Sequence, residues 1–219
     1  MSWKSRGRRE GGYHHGNLKE ALVQAALDLI ANKGPAGFTF AEAARSAGVS
    51  PAAPYRHFRD RDELLASVAQ QGFEQFESQL TAAWDDGRPD TPTAFQRVGK
   101  AYLAFARENP AEYSAMFGSG VPLEANPALL VASERAFAII RAASERLVAM
   151  APPGVPRPPA MMMALHIWSM SHGIASLFGR GDAVRRKLPM SAEDLLEAGV
   201  LIYLKGLGFP TDHHHRPSK

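Results

Sequence analysis

Residues 39–58 read TFAEAARSAGVSPAAPYRHF, and this stretch decides the fold. Thr39 followed three residues later by Glu42 is a capping box, the reciprocal pairing that starts a helix. Ala43, Ala44 and Ala47 are small enough to let a second helix cross closely. Gly48 supplies a left-handed turn position, and Val49 plugs the angle between the two helices. Ser50 is expected to cap the next helix, with Pro51 in its first position, where no N–H is needed. Two short helices joined by such a turn form a helix-turn-helix, whose second helix enters a DNA major groove while the first crosses the backbone.

Working outward, the rest of the chain divides into helices with clear stop signals. Asn17 and Glu20 pair to start a helix from about Leu18 to Lys33, with Leu18, Leu22, Ala25, Leu29 and Ile30 as its buried stripe and Gly34 as its end. Asp60 caps a long helix that carries Leu64, Val68, Phe76 and Leu80 on one face. After the polar break at residues 85–90, Thr93 and Gln96 are expected to cap a helix bearing Phe95, Val98, Tyr102 and Phe105. Asn109-Pro110 starts a short helix ending near Phe117, and Asn126-Pro127 a long one reaching Met150. Residues 152–159 hold too many prolines for helix and read as an extended linker. Two further helices fall near Ala160–Phe178 and Ala192–Leu207. No stretch reads as a strand. The expected fold is all-α with about nine helices: a flexible basic arm at 1–15, a three-helix helix-turn-helix domain at 16–60, a helical ligand-binding and dimerisation domain at 61–209, and a flexible tail at 210–219.

Composition narrows the function. The chain has 219 residues, 45% of them hydrophobic, which suffices for a real core. The formal charge is +3, and all of the excess lies in residues 1–70, which hold ten Lys/Arg against seven Asp/Glu; Lys4, Arg6, Arg8 and Arg9 cluster at the start. Such an arm suits DNA, although a solvated tail has the same composition. There is no cysteine, so disulfides and thiolate chemistry are excluded. No signal-peptide-like segment is evident at the start. The most apolar stretch, Ala160–Phe178, is interrupted by His166, Ser169, Ser171, His172 and Gly173, which argues against a membrane span. A cytoplasmic location is the expectation. No metal site and no cofactor are expected. His14-His15 are adjacent and cannot share a helical face, and His213–His215 lack supporting carboxylates or thiolates. No glycine-rich phosphate loop or nucleophile–base pair marks an enzyme.

The segment around residues 13–70 resembles the DNA-binding domain of TetR-family transcriptional regulators. The residues that carry the likeness are Gly48-Val49-Ser50, Tyr55-Arg56-His57-Phe58, Arg61-Asp62-Glu63-Leu64-Leu65, and upstream Tyr13-His14-His15-Gly16-Asn17-Leu18. Further on, Trp168, His172 and Gly173 resemble a C-terminal domain that some of these regulators carry. The resemblance implies that Thr39, Tyr55, Arg56, His57 and Arg61 meet DNA phosphates or lie beside them, and that Ser50, Pro51 and Ala52 face the groove. It departs from the family pattern at Ala53-Pro54, where proline at the fourth helical position removes an N–H and crowds the Ser50 carbonyl. A distorted or shortened first turn is expected, with base reading through methyl contacts and DNA shape.

For the second half, the resemblance implies a dimer and a small apolar effector. Phe105, Tyr113, Met116, Phe117, Phe137, Met163, Trp168 and His172 are the candidate ligand-binding residues, because aromatic and methionine side chains suit an adaptable apolar pocket. Any one of them taken singly reads more readily as core, while His172 reads equally as a pocket group or a satisfied core histidine. Ile167, Ile174, Leu196, Gly199, Val200, Tyr203 and Leu207 are the candidate dimer interface, since the Ala160–Phe178 helix is apolar nearly all round. The expected function is a ligand-responsive DNA-binding regulator, most simply a repressor. It would bind a palindromic double-stranded operator as a homodimer and be released by the effector. The alternative is a helical small-molecule-binding or enzymatic protein with a vestigial helix-turn-helix.

Overall fold

In the computed structural model, residues 18–179 and 188–209 are described. The basic arm, the Asn17 cap, His14-His15 and the histidine tail lie outside them. The described chain forms eight α-helices: α1 Leu18–Lys33, α2 Phe40–Ser46, α3 Arg61–Trp84, α4 Thr91–Glu108, α5 Pro110–Gly118, α6 Pro127–Met150, α7 Ala160–Gly179 and α8 Ala192–Gly206. Three short 3-10 turns accompany them, and no strand occurs among the described residues.

The chain's own stop signals explain these boundaries. Thr39 Oγ1 accepts the Glu42 N–H while Glu42 accepts the Thr39 N–H, which completes the capping box at α2. Gly34 and Gly48 take positive φ, 75° and 71°, just past the ends of α1 and α2. Asp60 accepts the Glu63 N–H and starts α3. Asn126 does the same for Leu129 at the head of α6. The cap of α4 differs from expectation. Asp90, not Thr93, holds it, accepting both the N–H and the hydroxyl of Thr93, because an aspartate oxygen reaches the third N–H while Pro92 needs no partner in the first turn.

Helix α3 is the axis of the molecule. It packs against α1 at one end and against α4, α5 and α6 further along, while α7 lies on α6 and α4, and α8 lies on α7 and α4. Leu64, Leu65 and Val68 are fully buried near the start of α3, and Phe76 and Leu80 are buried further on, within one continuous hydrophobic cluster. In α1 the stripe is displaced slightly from expectation. Leu22, Val23, Ala25, Ala26 and Ile30 are buried, while Leu18 and Leu29 are half-buried.

Gly72 sets the approach of α5 to α3. A Cβ there would lie 2.8 Å from Met116 Sδ and 3.3 Å from Glu112 Cβ. Gly72→Val is therefore expected to overpack this crossing and lower the unfolding free energy by about 1–3 kcal/mol, read from urea denaturation. An unchanged midpoint would mean that α5 is free to ride outward.

Candidate DNA-binding interface and effector cavities

The second helix of the helix-turn-helix is shorter than an α-helix. Residues 53–56 form a single 3-10 turn, Ala53–Arg56. The cause is proline chemistry. Pro54 has no N–H for the Ser50 carbonyl, so Ala53 N–H takes that carbonyl at 3.0 Å, and the Pro54 carbonyl then accepts from His57 and Phe58 at 2.9 and 3.0 Å. Ser50 is consequently not the cap of a helix, the residue before the turn being Ala52, which makes no side-chain capping bond. The Pro54 ring is buried, as is Phe58.

Ser50, Pro51, Ala52, Tyr55, Arg56 and His57 are all exposed. Tyr55 rests edge-on against Phe40, ring centroids 5.0 Å apart, and remains 64% exposed. Thr39 is exposed, but its hydroxyl is occupied by Glu42, donating to Oε2 at 3.0 Å. The Lys33 ammonium, 2.8 Å from Glu42, together with the Thr39 N–H and hydroxyl, holds that carboxyl down to about 2. The Thr39 hydroxyl and the Glu42 N–H thus serve the end of α2 itself.

Arg61 sits differently from its expected place on a phosphate. Its Nε donates to the Phe38 carbonyl at 2.8 Å, one terminal NH2 donates to the Pro35 carbonyl, and the guanidinium lies 4.9 Å from the Phe38 ring centroid. It fastens the start of α3 to the loop between α1 and α2. No sequence signal separates this use of an arginine from a phosphate contact, because both partners are backbone carbonyls 23 and 26 residues away.

In the second half, the candidate ligand residues fall into three groups. Tyr113, Phe117 and His172 border a cavity of about 220 Å³ together with Ala106, Pro110 and Ala175. Met116, Phe117, Phe137 and Trp168 border a larger one of about 400 Å³, which also takes in Phe73, Phe76, Val121, Leu123 and Ile140. Phe117 stands between the two. Phe105 and Met163 border neither; both are fully buried and belong to the core. The periodicity that marks them as inward-facing does not distinguish a cavity wall from filled space. The loop residues Val121 and Leu123 carried no periodic signal at all.

His172 belongs to a polar trio inside this apolar body. Its Nδ1 lies 2.7 Å from the Tyr113 hydroxyl and 3.3 Å from that of Tyr102, and the two hydroxyls are 3.4 Å apart. Burial pushes Tyr113 up to about 12, and it pushes the fully buried Tyr102 upward as well, so both stay neutral donors at physiological pH.

The candidate dimer residues are mostly turned inward. Ile167, Ile174, Leu196, Val200 and Leu207 are buried within the protomer. Leu196 covers Gly99 of α4, and Gly199 faces the Met170 side chain of α7. Tyr203 is half-buried and hydrogen-bonds His166 Nδ1. The repeating stripe of α8 is the face that binds its own core. The outward large apolar positions are Met161, Met162 and Leu165 on α7 and Ile202 on α8, 45%, 48%, 42% and 74% exposed.

Comparison with known proteins agrees with this architecture. Residues 22–68 match the family described as bacterial regulatory proteins, tetR family, and residues 95–202 match the tetracyclin repressor-like C-terminal domain. The chain belongs to the TetR family of transcriptional regulators, and its helix-turn-helix head is the part that matches the family's N-terminal model. The nucleoid occlusion factor SlmA of Vibrio cholerae is 32% identical over 95 residues, covering 43% of this chain and 48% of that protein. The HTH-type transcriptional regulator BetI of Rhizobium meliloti is 30% identical over 115 residues, 52% of this chain and 57% of the other. The chain spans about half the length of the curated relatives it matches. A solved structure of a protein of unknown function from Rhodococcus sp. RHA1 superposes with a TM-score of 0.75 at 26% identity, over 90% of this chain and 98% of that one.

Two outcomes follow from these geometries. Arg61→Ala is expected to lower stability by about 1.5–3 kcal/mol, the range for hydrogen bonds from a charged donor, while leaving the salt dependence of DNA binding unchanged. A flattened salt slope with normal stability would instead put Arg61 on a phosphate.

The second outcome concerns alkaline pH. Tyr113 is neutral in both folded and unfolded chains below its ordinary value of 10.0. Above pH 10 the unfolded chain ionises while the folded one resists until about 12, so stability falls as pH rises through that window. Because the ring is only partly buried, the loss is about 1–2 kcal/mol. Tyr113→Phe should remove that share of the slope, measured as unfolding free energy against pH.

Proposed function

We propose that this regulator acts as a dimer on a palindromic operator and represses transcription until a small, largely apolar molecule enters the α5–α6 cavity. Its place of work is the cytoplasm, and no catalytic role is assigned to it. The observation that carries the reading is the position of α5. Met116 and Phe117 of this helix wall the larger cavity, while its last residue, Gly118, lies against Pro35 of the α1–α2 loop. One short helix therefore touches both the cavity and the DNA-binding head. An effector that favours a displaced α5 would alter the setting of the head, and a ligand moves such an equilibrium only by its difference in affinity for the two shapes.

The exposed apolar side chains of Met162 and Leu165 on α7 and Ile202 on α8 support pairing of two chains through these helices. A twofold axis there would present two recognition turns to half-sites about 34–36 Å apart or somewhat more. The shortened recognition turn favours a second reading, in which the head has lost sequence-specific use and the body serves as a small-molecule-binding protein.

Footprinting with excess competitor DNA separates the two, alongside light scattering. The first reading expects footprints that survive competitor and a dimer at micromolar concentration. It also expects that the double variant Leu165→Glu, Ile202→Glu is a folded monomer with about 100-fold weaker operator binding. A wild-type monomer overturns the dimer, and footprints that vanish under competitor leave the second reading.

A further inference from the structure

The charge and lining of the larger cavity define a ligand class. We infer that this cavity selects lipophilic cations, an inference that rests on reading it as the effector site. Its walls carry the rings of Phe73, Phe76, Phe117, Phe137 and Trp168. Two pairs of these meet closely, Phe73 with Phe117 at 5.5 Å and Phe137 with Trp168 at 5.4 Å between centroids. Among the lining residues the single charged side chain is Glu134. It is exposed, which places it at the mouth, and no hydrogen bond or ion pair engages its carboxylate among the described residues. Its neighbour Arg135 is turned away to Glu77, 3.0 Å distant. No lysine, arginine or histidine lines the cavity.

Three ligand charges meet different environments here. An anion finds no cationic side chain among the lining residues and a like charge at the entrance. Of the two lining hydroxyls, Ser133 spends its O–H on the Leu130 carbonyl, and Ser119, which accepts the Val121 N–H, is the one side-chain O–H left to donate. A neutral molecule gains burial alone. A cation with an apolar body gains burial, the ring faces and the Glu134 carboxylate together, and ring faces attract cations by their quadrupole. The volume of about 400 Å³ lies within the range that holds a drug-sized molecule. Permanent lipophilic cations and protonated amphiphilic amines share this chemistry.

Tetraphenylphosphonium and tetraphenylborate have the same shape and opposite charge, so calorimetric titration of the full chain with each isolates the charge. The phosphonium is expected to bind at least 10-fold more tightly, one per chain. Glu134→Gln should weaken it about 3- to 30-fold without weakening the borate. Glu134→Lys should reverse the preference. Glu134 is a surface residue, and thermal unfolding of each variant confirms that the fold is kept. Equal or tighter binding of the borate by the wild type overturns the inference and leaves the apolar effector cavity standing. So does a phosphonium preference untouched by Glu134→Gln, which would place the cation elsewhere. Failure of both ions to bind overturns the inference and the cavity reading together. Phosphonium binding through Glu134 that leaves operator affinity unchanged supports the cation class and overturns the switch.

Discussion

Helix α3 belongs to the DNA-binding head and to the body at once, and everything else is arranged around that sharing. Its 24 residues span roughly 36 Å. Near the start, Leu64, Leu65 and Val68 bury themselves on the side where α1 packs; further along, Phe73, Phe76 and Leu80 meet the helices of the body. A helix in this position transmits rigidly only if its first turn is held. Two devices hold it. Asp60 caps the Glu63 N–H, and Arg61 crosses back to the carbonyls of Pro35 and Phe38. Those carbonyls belong to a loop with no helix or sheet to satisfy them, so the guanidinium settles a backbone requirement as well as a positional one.

The body answers a different constraint, the placing of polar groups in an apolar interior. Tyr102 is fully buried with its ring edge-on to Phe76 and its hydroxyl among Tyr113 and His172. A buried tyrosine needs a partner for its O–H, and the trio supplies partners from α4, α5 and α7. The trio lies on the side of the smaller cavity, while the larger one meets only the aromatic and aliphatic walls and the Glu134 rim. Phe117, packed against Tyr113 at 4.8 Å and His172 at 4.8 Å, keeps the polar and apolar cavities apart.

How much of this the sequence discloses depends on the range of the interaction that decides each feature. Helix ends are local. The Thr39–Glu42 box, the Asp60 cap, Gly48 and Asn126-Pro127 were legible because capping depends on residues within a few positions of one another. The proline effect at residue 54 was legible for the same reason. Periodicity showed that α7 and α8 bury a face, but not against what. The Leu196–Val200 stripe expected between two chains lies on α4 of its own chain, and the outward positions fall between its members. Arg61 and Glu134 were illegible in kind: a charged residue at a helix start and another in mid-helix look alike in sequence. Only the approach of distant elements makes one a clamp and the other a rim.

The contiguity of these parts sets the scale on which the two halves can influence one another. Phe117 and Met116 wall the larger cavity, Met116 lies over Gly72 of α3, and Gly118 reaches Pro35, whose carbonyl is held by Arg61. A displacement of α5 therefore meets α3 twice, directly at Gly72 and through the loop at its first residue. Coupling between sites in switching proteins usually amounts to about 1–3 kcal/mol. Hydrogen bonds from a charged donor fall in about the same range, 1.5–3 kcal/mol. On the proposed reading, a clamp of that strength would keep the head in register with the cavity empty, and the differential binding of one small molecule would be large enough to work against it. A fully buried ion pair in the same place, which costs 3–5 kcal/mol to break, would exceed that range and lock the head to the body.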